Sequence, residues 1–224
     1  MAEKAGVGES TEMYLKSIDE LMDETGVVPI SALADRLGIT AVSASEMIRR
    51  LQEQRLVDHR PYKGVTLTDS GRRLASSILR RQRLWECFLS DQLGLPWDRL
   101  YDLACQLEHA VGPEVTEALA DLLGHPTTCP HGNPIPSPEG KWEPALDRPL
   151  SQLAPGDQAT IRRVAAVSSA SLHYLAEHGL LPGTRITLEA IEPTDDLRRL
   201  RTARGEVVVG NQMARRIHVD LGGS

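Results

Sequence analysis

The stretch SALADRLGITAVSASEMIRRLQEQRLVDHRPYKGVTLT, residues 31–68, decides the fold of the N-terminal part of the chain. Apolar residues recur at helical spacing on both sides of Gly38, and glycine is a usual residue just past a helix end. The runs LVDHR and VTLT then alternate in polarity around a turn that contains Pro61 and Gly64, which is typical of a β-hairpin. Two short helices followed by a hairpin predict a winged helix-turn-helix.

This arrangement suits double-stranded DNA, because an α-helix fits the major groove and small hydroxyl side chains let its N-terminal end approach base edges. The predicted base-reading residues are Thr40, Val42, Ser43, Ser45 and Glu46, and the predicted phosphate anchors are Arg49, Arg50, Arg60 and Lys63. Since small polar side chains give few bidentate base contacts, specificity should depend on methyl contacts, water and DNA shape.

Charge is unevenly distributed along the chain. The 224 residues have a formal net charge of −6, yet residues 30–83 hold eleven Lys or Arg against five Asp or Glu, a surplus of six positive charges. Such a basic module favours binding to a phosphate backbone. A solvated helix face would leave the same composition, so charge alone does not decide between them.

Composition excludes several classes of protein. Hydrophobic residues make up 41% and charged residues 25%, which is ordinary for a globular protein. No stretch approaches the roughly 18 apolar residues of a membrane span, and the N-terminal MAEKAGVGESTEM has no apolar signal segment. The cysteines Cys87, Cys105 and Cys129 are too few for a disulfide scaffold. We therefore expect a cytoplasmic protein with no membrane partner.

Proline marks the clearest boundary, since seven of the fourteen prolines lie between Pro126 and Pro149. They predict an extended, semi-rigid linker. Periodicity is helical before it, whereas short strands with Gly/Pro turns predict a small β-barrel after it. We expect a mainly α fold with α+β character: a winged helix-turn-helix over residues 1–73, a helical domain over 74–149 and a β domain over 150–224.

The helical domain is expected to pair two subunits. Helices predicted over residues 69–91, 97–110 and 113–123 carry more apolar surface than a thin monomer can bury, which favours a homodimer. A dimer would place two recognition helices on successive major-groove faces of an approximately inverted-repeat operator.

The run ACQLEH, residues 104–109, carries the most informative chemistry. Cys105, Glu108 and His109 lie at i, i+3 and i+4, so one helical face presents a thiol, a carboxylate and an imidazole. This set can hold a divalent transition metal if another element supplies a further donor. Spacing alone favours the alternative without metal, in which Cys105 is a buried small apolar residue, Glu108 is solvated and His109 is a capping or core histidine.

An enzyme is not expected. The sequence has no Gly-x-Ser-x-Gly elbow, P-loop, zinc-protease helix or dinucleotide-binding glycine motif.

Several motifs, in one order along nearly the whole chain, resemble the diphtheria-toxin-repressor family of metal-dependent transcriptional regulators, the iron- and manganese-responsive repressors of bacteria. They are TEMYLKSI at 11–18, LVDH at 56–59, VTLTDSGRRLA at 65–75, RRQRLWE at 80–86, ACQLEH at 104–109 and PHGNPIP at 130–136. The segment GLLPGTRITLEAI, residues 179–191, resembles the SH3-like domain that ends longer family members. The resemblance implies a metal-dependent repressor of metal-ion homeostasis.

It also implies a primary metal site built from Met13, Cys105, Glu108 and His109, in which one ion clamps the DNA-binding domain to the metal-binding and dimerisation domain. A backbone carbonyl near Val7 takes part in activation in the family. The alternative is a metal-independent DNA-binding or adaptor protein in which these residues are relics.

The ancillary metal site of the iron-responsive members departs from the family pattern in this sequence. Glu86 is kept, but its two histidine partners are replaced by Gln82 and Tyr101, and the SH3-like positions fall on Ser168 and Ser171. We expect this site to be absent, weakened or rebuilt from other donors. Those donors are His173, His178, Cys129 and His131, although Cys129-Pro130-His131 is favoured as a packed linker.

Donor type favours Fe(II) as the activating metal. Thiol and thioether sulfur are softer than the oxygen-rich shell that Mn(II) prefers, so Mn(II) is the second choice. Co(II), Ni(II) or Zn(II) can substitute at such a site.

Overall fold

The structure, a computed structural model, describes residues 8–22, 26–61, 63–141, 147–165, 168–192 and 196–221. Its described residues form two compact units: 8–81 with 136–141, and 82–135 with 147–221. In this part of the chain, every helix is too short or too polar to cross a bilayer. The domain boundaries at residues 73 and 149 stay predictions.

The first unit is the winged helix-turn-helix that the sequence predicts. Its elements are α1 (Glu9–Leu21), α2 (Ile30–Leu37), α3 (Ala41–Glu53), β1 (Val57–Arg60), β2 (Gly64–Leu67) and the beginning of α4 (Asp69–Asp91). The strands pair antiparallel, with Val57 opposite Leu67. Leu15, Ile48 and Leu51 are fully buried between helices and hairpin, so the apolar face of α3 anchors it and leaves its other face exposed.

Local backbone chemistry sets the turn before α3. Gly38 ends α2 in the left-handed region at φ 66°, where glycine avoids the steric strain of a Cβ. The hydroxyl of Thr40 then caps α3 by accepting a hydrogen bond from the Ser43 amide at 3.1 Å. These two residues fix where the recognition helix begins.

The second unit continues α4 with a 3-10 helix (Trp97–Arg99), α5 (Leu100–Glu108) and α6 (Pro113–Leu122). An antiparallel sheet follows, in the order β3-β8-β4-β5-β6-β7. The strands are β3 (Arg148–Pro149), β4 (Gln158–Val164), β5 (Arg185–Glu192), β6 (Leu197–Thr202), β7 (Gly205–Gly210) and β8 (Ile217–Asp220). Two helices lie between them along the chain, α7 (Ser169–Glu177) and α8 (Asn211–Ala214). The predicted fold class, with helices followed by an SH3-like sheet module, is confirmed.

Strand β6, with the sequence LRRLRT, was not among the predicted strands because its arginines mask the apolar alternation. Leu200 is fully buried in the sheet core. On the exposed side, Arg201 pairs with Glu189 at 2.7 Å and Arg199 pairs with Glu192 at 2.6 Å. Cross-strand partners therefore make a basic segment compatible with the centre of a sheet.

Residues 127–135 form a closed loop rather than the extended linker that the prolines predict. The Cys129 amide donates to the Asn133 carbonyl and the Ile135 amide to the Thr127 carbonyl, at 2.9 and 2.8 Å. A Cβ on Gly132 would lie 2.0 Å from the Arg162 carbonyl oxygen, so the close approach of this loop to β4 requires glycine. Proline restricts the backbone without preventing such loop closure.

An ion pair around the buried carboxylate of Asp147 joins the residue before β3 to β4 and β8 and makes stability depend on pH. The Asp147 carboxylate accepts two hydrogen bonds from Arg163, at 2.8 and 3.0 Å, and lies 3.2 Å from Nδ1 of His218. Burial opposes ionisation, but His218 and Arg163 outweigh it and lower the pKa of Asp147 to about 2. The pair therefore stabilises the fold above pH 4 and loses this contribution as the pH falls towards 2.

We predict that Asp147→Asn lowers the free energy of unfolding at pH 7 by about 2 kcal/mol, since one pKa unit corresponds to about 1.4 kcal/mol. The difference from wild type should shrink between pH 4 and 2. Denaturant unfolding at pH 7, 4, 3 and 2 measures both effects. Asp121→Asn, which removes an exposed carboxylate paired with exposed His125, is the matched control and should change little. Identical pH profiles for wild type and Asp147→Asn would contradict the assignment.

Candidate metal centres and recognition helix

One face of α5 brings together the three metal-binding candidates of the ACQLEH run. The ligand atoms of Cys105, Glu108 and His109 all lie within 4.8 Å of one another. Cys105 Sγ is 3.9 Å from Glu108 Oε1, and the same oxygen is 3.4 Å from His109 Nε2. Their convergence follows from the helical period, with His109 at the position that ends α5.

This donor set fits a divalent transition metal. It combines a sulfur, an oxygen and an imidazole nitrogen, and Glu108 is fully buried, where a carboxylate needs a nearby positive charge. Met13, the fourth expected ligand, is half-buried on α1 in the first unit, and its place beside the other three stays a prediction. The carbonyl near Val7 lies outside the described residues.

A second cluster lies where α4 meets the closed loop. Glu86 of α4 and the loop residues Cys129 and His131 are all buried, and their ligand atoms also lie within 4.8 Å of one another. Glu86 Oε2 is 3.0 Å from His131 Nδ1. The sequence offered Cys129 and His131 only among alternative donors; their Cys-x-His spacing was visible, but loop closure is what brings them to Glu86.

The charges within this second cluster are strongly coupled. Burial raises the pKa of Glu86. Attraction to His131 and hydrogen bonds from His131 and Cys129 together lower it by more than burial raises it, so the pKa lies below its ordinary value. Burial, and next the charge of Glu86, raise the pKa of the Cys129 thiol well above its usual range. A cation that replaced the proton of Cys129 would compensate the negative charge of both groups.

The ring of His131 is oriented by Nε2, the nitrogen that does not face Glu86. Nε2 lies 3.1 Å from the Trp97 carbonyl oxygen, which can only accept a hydrogen bond, so this nitrogen carries a proton. The remaining nitrogen, Nδ1, is directed at Glu86. Metal-ligating histidines are commonly held in this way through the nitrogen that does not bind metal.

The residues expected at the positions of the family's ancillary ligands make other contacts in this structure. Gln82 donates from Nε2 to Glu86 Oε1 at 3.2 Å, and Tyr101 packs against the core of the sheet. Ser168 caps α7 by accepting a hydrogen bond from the Ser171 amide at 3.3 Å.

Two of the four alternative donors lie elsewhere. His173 Nδ1 is 2.7 Å from Asp98 Oδ2, and His178 stacks on Tyr174 with ring centroids 4.1 Å apart. Of the four, Cys129 and His131 are those that the structure places beside Glu86.

The predicted DNA-contacting residues occupy the exposed side of the first unit. All nine are exposed, with Arg60 at the end of β1 and Lys63 in the hairpin turn. Val42 is 70% exposed, which is unusual for an aliphatic side chain on a helix whose opposite face is well packed. The geometry leaves these side chains available to a ligand, as an interface requires.

Comparison with known proteins covers most of the chain. The family model "Iron dependent repressor, N-terminal DNA binding domain" matches residues 7–65, and "Iron dependent repressor, metal binding and dimerisation domain" matches residues 68–137. The FeoA domain model matches residues 148–221.

Full-length relatives and solved structures agree with these matches. The iron-dependent repressor IdeR of Mycobacterium tuberculosis is 30% identical over 225 residues, covering 95% of this chain and 97% of the relative. The diphtheria toxin repressor of Corynebacterium jeikeium is 36% identical over 146 residues, covering 65% of this chain and 60% of the relative. The crystal structure of T. acidophilum IdeR has a TM-score of 0.82 at 32% identity, covering 96% of this chain and 99% of that one. A manganese-dependent transcriptional repressor in complex with manganese has a TM-score of 0.81 at 37% identity, covering 93% and 98%.

The second cluster predicts a specific pattern of stability in metal-free protein. His131→Ala should lower the free energy of unfolding by about 3 kcal/mol, because it leaves the Glu86 carboxylate buried without its imidazole partner. In the double variant with Glu86→Gln, much of that loss should be recovered, since the uncompensated charge is gone. Denaturant unfolding in excess chelator measures the cycle.

His125→Ala, which removes a histidine exposed to solvent and paired with Asp121, is the control and should cost less than about 1 kcal/mol. Additive effects of His131→Ala and Glu86→Gln would show that the two side chains are not coupled.

Proposed function

We propose that this chain, which belongs to the iron-dependent repressor family of metal-dependent DNA-binding repressors and is not an enzyme, is activated when one divalent metal ion joins its DNA-binding domain to its metal-binding and dimerisation domain. The observation that carries the proposal is the convergence of Cys105, Glu108 and His109 within 4.8 Å on α5. The alternative in which Glu108 is solvated does not fit, because its side chain is fully buried.

The primary site would be completed by Met13 of α1. Cys105, Glu108 and His109 belong to one rigid helical turn, so they would act as a preformed half-site, and Met13 would bring a thioether from the DNA-binding domain. A bound divalent cation would supply the positive charge that compensates the Glu108 carboxylate and the Cys105 thiolate. The ion shifts the population of conformations only by its differential affinity for the clamped form.

Iron(II) is the activating metal that the donors favour. Met13 and Cys105 contribute soft sulfur, which suits Fe(II) better than Mn(II), whose preferred shell is rich in oxygen. Mn(II) is the second candidate, and Co(II), Ni(II) or Zn(II) would occupy the same donors as substitutes.

Glu86, Cys129 and His131 are proposed to hold a second ion. The sequence favoured loss of the ancillary site, because Gln82 and Tyr101 replace its histidines. The buried cluster supports a rebuilt site instead, in which the closed loop supplies a sulfur and a nitrogen beside Glu86. The hydrogen bond from Gln82 to Glu86 would orient that carboxylate.

The chain carries a DNA-binding domain and a dimerisation domain, and we propose that it works as a homodimer on a double-stranded operator in the cytoplasm. Dimer symmetry would place two α3 helices on an approximate inverted repeat. Thr40, Val42, Ser43, Ser45 and Glu46 would face the bases. The cations Arg49, Arg50, Arg60 and Lys63 would contact phosphates.

We predict that Fe(II) or Mn(II) added without oxygen strengthens binding to the chain's own promoter fragment relative to chelator. Cys105→Ala should abolish this response, whereas Met13→Ala should weaken it and leave the fold intact, because only the link between domains is lost. Fluorescence anisotropy with labelled DNA measures the response, and circular dichroism checks the fold. Met213→Ala, a methionine packed against the sheet core, is the control. An unchanged metal response in Met13→Ala would contradict the proposal that one ion links the two domains through Met13.

The two clusters also predict the number of metal ions bound. Wild-type chain should bind two Co(II) ions with thiolate-to-metal absorption, and Cys105→Ser and Cys129→Ser should each remove one ion. Cys87→Ser is the matched control, because Cys87 is buried, outside both clusters, with its pKa raised by burial to about 12. If Cys129→Ser still binds two ions with unchanged absorption, the proposal that Glu86, Cys129 and His131 hold the second ion is wrong.

A further inference from the structure

The exposed face of α3 has an unusual chemical composition. Five side chains line one shallow depression on it: Ala41, Val42, Ser45, Glu46 and Arg49. The opposite face of the helix is buried in the core of the first unit. These five residues are one part of the exposed surface of α3, which also includes Ser43 and Arg50.

Hydrogen bonds within α3 decide what this face can offer. The Ser45 hydroxyl donates its hydrogen to the Ala41 carbonyl at 2.8 Å, so outward it offers only lone pairs. A carboxylate likewise accepts hydrogen bonds without donating. Ser45 and Glu46 thus form an acceptor-only patch beside apolar Val42, and the donors Arg49 and Arg50 follow one turn later on the helix.

A carboxylate in this position weakens general affinity for DNA. Glu46 would be repelled by the phosphates that Arg49, Arg50, Arg60 and Lys63 attract, because the backbone term is electrostatic and independent of sequence. A contribution of Glu46 to recognition must therefore come from a base edge with a hydrogen-bond donor. In the major groove those donors are the N4 amino group of cytosine and the N6 amino group of adenine.

The two bases differ in what lies beside the amino group. Adenine places the N7 acceptor next to N6, and that lone pair repels a carboxylate. Cytosine has a carbon-bound hydrogen at C5, which the exposed methyl groups of Val42 can pack against. Cytosine therefore matches both Glu46 and its neighbour.

We propose that Glu46 is a specificity-determining residue of α3 and reads the N4 amino group of a cytosine in each operator half-site. The inference rests on the proposed function, in which α3 faces the bases. Val42 and Glu46 are four residues apart, about 6 Å along the helix axis. The cytosine should therefore lie within about two base-pair steps of the base that Val42 contacts.

The test is a selection from duplexes with 30 random base pairs by the full-length chain. One arm is loaded with Fe(II) without oxygen, a second with Mn(II), and a third is held in chelator. The variants are Glu46→Gln and, as matched control, Glu53→Gln. Glu53 is an exposed glutamate at the C-terminal end of the same helix, so its substitution changes the charge of α3 equally. The winning duplex is then resynthesised with each of the other base pairs at the cytosine position, and all affinities are measured.

Wild type and Glu53→Gln should enrich the same half-site with an invariant cytosine, and replacing that base pair should weaken binding at least about fivefold. Glu46→Gln should lose this discrimination at that one position and gain preference for adenine, whose N6 and N7 a glutamine amide can pair with. Both glutamine variants should bind unrelated DNA somewhat more tightly, because each removes one negative charge.

The outcomes separate the inference from the function on which it rests. If wild type enriches no sequence over chelator with either Fe(II) or Mn(II), the metal-dependent DNA-binding proposal fails and this inference fails with it. If wild type enriches an operator but Glu46→Gln selects the same bases, or the position opposite Glu46 is guanine or thymine, the function stands and the cytosine assignment is overturned.

Discussion

Two carboxylates, Glu86 and Glu108, are buried within the same unit, and the need to compensate their charge organises much of the chemistry around them. Each lies beside a histidine and a cysteine: His131 and Cys129 for Glu86, His109 and Cys105 for Glu108. A proton shared among such groups or a divalent cation can balance the charge. The same residue types that make the metal-free protein costly to assemble are those that we propose bind metal.

The two clusters achieve convergence by different means. Cys105, Glu108 and His109 are neighbours on a single helical turn, so secondary structure alone brings them together. Glu86 meets Cys129 and His131 only because the chain between residues 127 and 135 closes on itself and passes so near β4 that Gly132 has no room for a side chain. The second cluster thus depends on tertiary packing, and packing holds the His131 ring through the Trp97 carbonyl.

The recognition helix answers two opposing requirements. Its buried face must anchor it in the first unit, and Ile48 and Leu51 do so. Its exposed face must meet an anionic ligand, and there Arg49 and Arg50 supply attraction while Glu46 supplies repulsion. We propose that this acid serves discrimination between base pairs, because it opposes the attraction to phosphates that gives general affinity.

Helical and alternating periodicity in the sequence was sufficient for the winged helix-turn-helix, for α4 to α6 and for β4, β5 and β7, three of the six strands of the sheet, because each of these elements buries one face and its pattern is local. Cys105, Glu108 and His109 could be named as candidates for the same reason, since helical spacing places them on one face, whereas their role as metal ligands and the part of Met13 came from the family resemblance. Strand β6 was not predicted because its arginines mask the apolar alternation. Arg199 and Arg201 find acidic partners on the neighbouring strands, and no local pattern reveals these pairs. The meeting of Glu86 with Cys129 and His131 was decided by tertiary structure alone, because it joins residues more than 40 positions apart through a loop whose closure depends on backbone hydrogen bonds.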